Sequence, residues 1–419
     1  MKYLKVLSKR LLSGVVEKHL VLPTLAFGIA IVFVIIKSDY RSQVISALVG
    51  FVFGKALISL SIAIYYSKED QRKAIRDYDS LSSFYSEAIY GHKYILFSNE
   101  KKIKLFYDEL YTHDFKKKII FDDQPNKRFI LPYVIAPYYS DLMQAHKASF
   151  TKNAFTIRLD DLIVNKDELI LKTSRTTYFD HLVLNRAIDF PVRDILSVRR
   201  LFEYNNELTP LKHSKLANQI GVNAIVLFND GYTIFPRRSF TSTVAKNRIT
   251  SSLAIRLNSE NTFEQITEAS IHKDFYKQMV SRLHFPESYI SDPSKIDIKL
   301  VGIGRDLCEG GKPQFYYVIH LNDISSDDYT KRLNLCIKEK KKDKLTQIDY
   351  DRLLYVTKLS DLDLHKNETL KLKPRLYHKR KDSFHTRKIS VKVKPEISFY
   401  YNLWHYYKIY EPSRIIKSN

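Results

Sequence analysis

Residues 20–36 and 44–66 are two long apolar runs, with Lys37-Ser38-Asp39-Tyr40-Arg41-Ser42 between them. The first has no charge and the second only Lys55, so each is long enough to cross a hydrocarbon core as a helix. Cations crowd the outer flanks: Lys2, Lys5, Lys9, Arg10 and Lys18 before the first run, and Lys68, Arg72, Lys73 and Arg76 after the second. By the positive-inside rule both termini are expected in the cytoplasm, with most of the chain on that side. A secretory signal peptide is the competing reading. It is disfavoured because no small-x-small cleavage site follows and a second run comes almost at once. The expectation is a two-span anchor over residues 1–66.

Within the second run Ser46, Gly50 and Gly54 fall four apart, a small-residue stripe along which two helix backbones can approach. Gly28 offers a partner surface within the hairpin, and self-association is the equal alternative. A lysine at the centre of a span costs about 2.5–3.5 kcal/mol on insertion scales, so Lys55 is expected to face a partner helix or an aqueous path, with Ser59 beside it. Membrane lipids and further copies of the chain are the partners this predicts.

The whole chain of 419 residues carries a formal net charge of +22, from 68 Lys+Arg against 46 Asp+Glu. That excess favours an anionic partner such as nucleotide, nucleic acid or acidic lipid, without choosing among them. Two cysteines, Cys308 and Cys336, exclude a disulfide framework, and neither has a zinc-type neighbour. Neither a metal nor a cofactor is expected.

Residues 67–150 open with mixed charged and apolar positions (Ile75, Leu81, Phe84, Ala88) at helical spacing, which predicts a juxtamembrane helical region. Ile119-Ile120-Phe121 is a strand candidate ended by Asp122-Asp123-Gln124-Pro125-Asn126. Over 151–330 strands dominate. Leu162-Ile163-Val164 and Leu169-Ile170-Leu171 flank Asn165-Lys166-Asp167, and residues 222–228 and 232–235 flank Asn229-Asp230-Gly231, a strong hairpin signal. A second hairpin joins 298–303 to 315–321 through Gly310-Gly311-Lys312-Pro313. Between the hairpins Phe263, Ile266, Ala269, Phe275, Met279 and Leu283 predict an amphipathic helix on a sheet. The order is that of an α+β domain.

Residues 221–228 through Pro236-Arg237-Arg238-Ser239 resemble the opening hairpin of a Nudix domain, and 300–307 with Lys312-Pro313-Gln314-Phe315 are similar to the strands after its signature helix. The fold expected is therefore α+β: a two-helix transmembrane hairpin followed by a cytosolic Nudix-like mixed-sheet domain. The resemblance implies a G-x5-E-x7-R-E-apolar-x-E-E-x-G-apolar box whose glutamates hold Mg²⁺. Lys277-Gln278-Met279-Val280-Ser281-Arg282-Leu283-His284-Phe285 aligns with its second half, and Met279 and Phe285 fit the apolar positions. Both metal-binding positions have changed, to Ser281 and Arg282, and an arginine there would repel a divalent ion and bind phosphate instead. No catalytic residue is assigned, although Glu264, Glu268 and Asp274 lie near under a shifted register. Arg237, Arg238, Lys277 and Arg282 are the candidate phosphate contacts.

The tail, 331–419, holds a charge run at Lys338–Lys344, a basic stretch at Lys371–Lys394, and Phe399, Tyr400, Tyr401, Trp404, Tyr406, Tyr407 and Tyr410. Cations beside aromatics suit a single-stranded nucleic-acid groove. A core helix, or a surface on lipid headgroups, is equally consistent.

The whole plan resembles the membrane effectors of bacterial antiphage systems. Two relatives are implied: a transmembrane-Nudix effector that senses a cyclic oligonucleotide messenger, and a retron-associated two-span effector held by a reverse transcriptase with its DNA–RNA product. Either implies a non-enzymatic chain in the bacterial inner membrane that permeabilises it on infection. The alternatives are a membrane-tethered Nudix-type pyrophosphohydrolase and a membrane-tethered nucleic-acid-binding adaptor.

Overall fold

The computed structural model describes residues 84–85, 91–144, 153–193, 196–203, 207–238, 247–257, 264–290, 292–340, 350–365, 369–372, 375–380, 383–388 and 390–418. The chain divides into two units, Met1–Lys73 and Ala74–Asn419, and every described residue belongs to the second.

The expected two-helix transmembrane hairpin is corrected, and with it the bacterial inner-membrane placement with both termini cytoplasmic. Among the described residues no helix is long and apolar enough to cross a membrane, and their architecture is mostly mixed sheet with few helices. The two apolar runs, and Ser46, Gly50, Gly54, Lys55 and Ser59 within them, lie outside the described residues. Hydropathy reports how much apolar surface a segment can bury, not whether lipid or protein covers it.

Nine strands form the largest sheet: β1 (Tyr107–Thr112), β2 (Gly221–Phe228), β3 (Tyr232–Arg238), β4 (Leu253–Arg256), β5 (Ile296–Asp306), β6 (Lys312–Leu321), β7 (Tyr350–Lys358), β8 (Arg375–Arg380) and β9 (Ser383–Lys388). Their spatial order is β9-β8-β7-β3-β2-β6-β5-β1, with β4 also paired to β2. β2 and β6 run parallel, while β5 with β6 and β3 with β7 run antiparallel. Every residue of β2 is buried, as expected of a strand covered on both faces. Val222, Ala224, Val226 and Phe228 enter one apolar cluster; Ile225 and Leu227 enter the opposite one.

Three helices cover those faces. Helix α1 (Glu268–Leu283) supplies Ile271, Phe275, Met279 and Leu283 to the first cluster, and α2 (Ser326–Lys340) adds Tyr329 and Leu333. Helix α3 (Ile397–Tyr410) fills the second with Phe399, Tyr400, Tyr401, Leu403, Trp404 and Tyr407. Five of the seven tail aromatics are thus core residues; Tyr406 packs against the cluster half-buried, and Tyr410 is exposed. The basic stretch before them includes the β8–β9 ribbon.

The Asn229-Asp230-Gly231 turn forms where expected, with Gly231 at φ +75°, yet its strands part quickly. β3 pairs with β2 only at Thr233 and Leu227, and β4 takes the rest of that β2 edge. Ser252, just before β4, accounts for this: its Oγ accepts the Val226 amide at 2.9 Å. Residues 92–112 also depart from expectation. Within 67–150, where a juxtamembrane helical region was expected, His92–Leu96, Lys102–Leu105 and β1 are strands. The first two pair with each other, and His92–Leu96 also pairs with Ile415–Ser418, closing the C-terminus onto the start of the domain.

A separate three-stranded sheet has the order Lys118–Arg128, Glu168–Thr177, Phe155–Val164. Its first strand continues through Asp122–Asn126, where a loop was expected. Asp123 stays in the strand because Arg175 binds it bidentately at 2.7 and 2.8 Å and the Thr173 hydroxyl donates to it at 2.7 Å.

Candidate functional site

Helix α1 is fixed at both ends by its own residues. Thr267 is the N-cap: its side chain accepts the Ser270 amide at 3.2 Å, and the Thr267 amide donates to Ser270 Oγ at 2.9 Å. Apolar residues at every fourth position, from Ile271 to Leu283, then bury one stripe against the sheet. The helix ends on His284, which adopts the left-handed conformation at φ 61° and ψ 31°. Non-glycine residues seldom occupy that region, and glycine is the usual choice there. His284 stands at the position aligned with the box glycine. The Phe285 amide closes back onto Met279 O at 3.1 Å, and the Tyr329 hydroxyl donates to Leu283 O. The register expected from sequence places the box glycine at this helix end, where a left-handed residue is a common way for any helix to stop.

That register puts Ser281 and Arg282 on the last turn. Ser281 turns its hydroxyl back to Lys277 O at 2.8 Å. Arg282 is half-buried and donates from Nη1 to Ala254 O of β4 at 2.9 Å. Beside it on β4 is Arg256, whose guanidinium lies 4.2 Å from the centre of the Tyr178 ring. Burial draws the Arg256 pKa below its ordinary value; Tyr178 opposes this and the neighbouring Arg282 adds to it. The two guanidiniums are near enough to act on each other electrostatically, which gathers positive charge at this edge of β4. The cation–aromatic pattern continues on the three-stranded sheet, where Arg128 lies 4.5 Å over the Phe155 ring.

The four expected phosphate contacts are not one group. Arg282 is at the β4 edge and Lys277 is exposed one turn earlier on α1. Arg237 and Arg238 stand at the end of β3: Arg237 bridges to Ile249, and Arg238 ion-pairs with Glu396 at 3.4 Å, at the start of α3. Arg256, Tyr178, Arg128 and Phe155 were not selected from sequence. Isolated arginines and aromatics give no signal until strand pairing brings them together.

The carboxylates considered under a shifted register sit elsewhere. Glu268 is the first residue of α1 and Glu264 precedes it, roughly 20 Å along the axis from Arg282 at 1.5 Å rise per residue. Burial raises the Glu268 carboxyl above its ordinary pKa and lowers that of His272, whose Nε2 is 4.0 Å from it. Glu264 contributes its backbone carbonyl, which accepts from Arg175 Nη2 at 2.7 Å. Among the described residues no group of three or more His, Cys, Asp or Glu side chains is placed to hold a metal ion.

No family model matches this sequence, and no curated protein does. Among solved structures, DR0079 from Deinococcus radiodurans is similar to part of it, at 18% identity and a TM-score of 0.19. That match covers 26% of this chain and spans 57% of the other chain's length, and an overlap so low carries no argument.

Proposed function

We propose that the Ala74–Asn419 unit is a non-hydrolytic, Nudix-like sensor that binds a phosphate-bearing nucleotide at the C-terminal end of α1. The observation that carries this is Arg282, half-buried at a position aligned with a metal-binding glutamate and set beside Arg256. Where a hydrolase gathers carboxylates to draw Mg²⁺ against a pyrophosphate, this helix end gathers guanidiniums, which take the phosphate without an intervening metal. Of the two triggers implied by the resemblance to antiphage effectors, a free cyclic oligonucleotide suits the site better than a reverse transcriptase with its DNA–RNA product. Two half-buried arginines, one of them over the Tyr178 ring, match a small anion with stacking faces. In that role ligand binding reports infection, and the chain performs no turnover of its own.

The test is calorimetric titration of the full-length chain with a cyclic dinucleotide and a cyclic trinucleotide, each with Mg²⁺ and with EDTA. Binding should be indifferent to EDTA and should fall at least tenfold in Arg282→Glu and in Arg256→Glu, with the ligand recovered intact. Mg²⁺-dependent consumption of a nucleoside diphosphate derivative that disappears in Glu268→Gln would replace the sensor with the pyrophosphohydrolase. Absence of binding by either cyclic probe would sink the nucleotide reading.

A further inference from the structure

We propose a second anion site, on the buried polar face of the three-stranded sheet, that takes a small oxyanion of the phosphate class. The strand Phe155–Val164 alternates as a half-buried strand should: Ile157 and Leu159 join the apolar cluster under α1. Thr156, Arg158 and Asp160 therefore take the other face, where strand register sets Thr176 opposite Thr156 and Ser174 opposite Arg158. An isolated bridge adds Gln219 opposite Arg158. A polar face of this kind is ordinarily wet. Here none of these residues is more than 9% exposed. Leu216 and Ala217, of a third apolar cluster with Val183 and Leu184, immediately precede Asn218 and Gln219.

Part of that face satisfies itself. Asp160 accepts from Arg158 Nη1, from Ser174 Oγ at 3.0 Å and from Lys127 Nζ at 2.8 Å. Arg158 Nη2 donates to Ser214 O at 3.0 Å and Leu216 O at 3.3 Å. Five buried atoms have no protein partner: Arg158 Nε, Thr176 Oγ1, Gln219 Nε2, and both Nδ2 and Oδ1 of Asn218. A buried polar atom left unmet is costly, and five of them in residues that neighbour one another along the chain or across the strands call for an occupant.

The surrounding backbone is unusual in the same place. Asn218 is left-handed at φ 44°, and its amide donates to Asn185 Oδ1 at 3.1 Å. Asn185 belongs to a π-helical turn, Leu182–Arg186. Single π turns and left-handed residues of this kind concentrate at ligand sites. The chemistry of the free atoms selects the ligand. Donors from Arg158, Gln219 and Asn218, with the Thr176 hydroxyl, outnumber the one free carbonyl. Arg158 and Lys127 outnumber the single carboxylate of Asp160. An acceptor-rich anion meets both conditions. Lys127, with its side chain 57% exposed, reaches the edge of this face from solvent through its ion pair with Asp160.

Thermal unfolding of the full-length chain, titrated separately with inorganic phosphate and with ADP, tests this. A saturable rise with phosphate assigns a free anion, and a rise with ADP alone assigns the terminal phosphate of a nucleotide. In Gln219→Leu the apparent affinity should weaken at least tenfold, while Arg282→Glu should leave it unchanged, which separates this site from the one on α1. A rise that survives Gln219→Leu in an Arg282→Glu background, or no rise with either probe, overturns the proposal. Should Gln219→Leu fail to fold, crystals of the unsubstituted chain soaked in arsenate decide the matter. An arsenic anomalous peak beside Gln219 and Asn218 supports the site, and ordered water alone overturns it.

Discussion

The nine-stranded sheet and the three-stranded sheet bury their strands by opposite means. β2 and β6 are apolar on both sides, and α1 and α3 cover them with aliphatic and aromatic side chains. The three-stranded sheet is apolar on one side only. It buries Arg175, Asp123, Arg158, Asp160, Ser174 and Thr176 alongside that face or on its reverse, held by ion pairs and hydrogen bonds. Apolar burial is non-directional and tolerant; polar burial stands or falls with each partner. The first sheet is therefore the scaffold. The second is where the chain spends stability on chemistry, and both proposed anion sites border it.

The comparison breaks most visibly in the scaffold. Trp404→Ala empties a fully buried site on α3 and should cost about 3–5 kcal/mol in urea denaturation, with no second substitution short of refilling the volume restoring it. Arg175→Leu leaves Asp123 charged and buried, and should also cost about 3–5 kcal/mol. Here the double variant Asp123→Leu/Arg175→Leu should recover most of the loss, because no orphaned charge remains. A double variant no better than the single would place Arg175 in the apolar regime and erase the distinction.

pH separates polar clusters that apolar cores would leave indistinguishable. Desolvation pushes the Glu203 carboxyl up to about 7, against the pull of Arg305 and Arg199. Its folded value lies above its unfolded one, so the stability tied to the neutral acid is present below about 4.5 and is lost as pH rises through about 7. Asp123 has the opposite sign. Burial would raise its carboxyl, but the Arg175, Thr173 and Ile266 hydrogen bonds outweigh that and hold it below its ordinary value. Its contribution is present above that ordinary value and is lost as pH falls through the depressed one. Denaturation midpoints across pH 3–9 should lose the neutral-side slope in Glu203→Gln and the acid-side slope in Asp123→Asn. Unchanged slopes in both would remove the electrostatic half of the comparison.

The smallest expected effect concerns the frame of the α1 site. Thr267→Ala removes the N-cap and should cost about 1 kcal/mol without altering ligand affinity at Arg282, which lies at the far end of the helix. A large loss of affinity would show that the helix start, with Glu264 and Glu268, belongs to the site.

Much of the nine-stranded sheet was legible as local pattern. Continuous apolar runs and turn chemistry marked the strands around Asn229-Asp230-Gly231 and Gly310-Gly311, and helical spacing marked Phe275, Met279 and Leu283 of the buried stripe of α1. The aromatic tail was legible only as aromatic: Trp404 and Tyr407 could line a groove or fill a core, and only their position over β2 and β6 decides for the core. At the site, Arg282 was visible because a helix register exposed a changed position. Arg256, Tyr178, Arg128 and Phe155 were not, since no spacing along the chain relates them.

What the sequence by itself determined is the set of elements whose causes are local: an amphipathic helix ending at Leu283, though begun at Glu268 and not at Thr262, the two glycine turns, and the apolar strands beside them. The apolar runs at 20–36 and 44–66 show the limit of that logic, because hydropathy measures what a segment can bury and says nothing of its cover. Only the tertiary structure decided that Ser252 would part β2 from β3, that Arg256 would come to rest beside Arg282, and that a polar strand face would be shut away from water. Each depends on residues far apart in the chain meeting across a sheet, where a partner's presence or absence sets the free energy of burying a polar group.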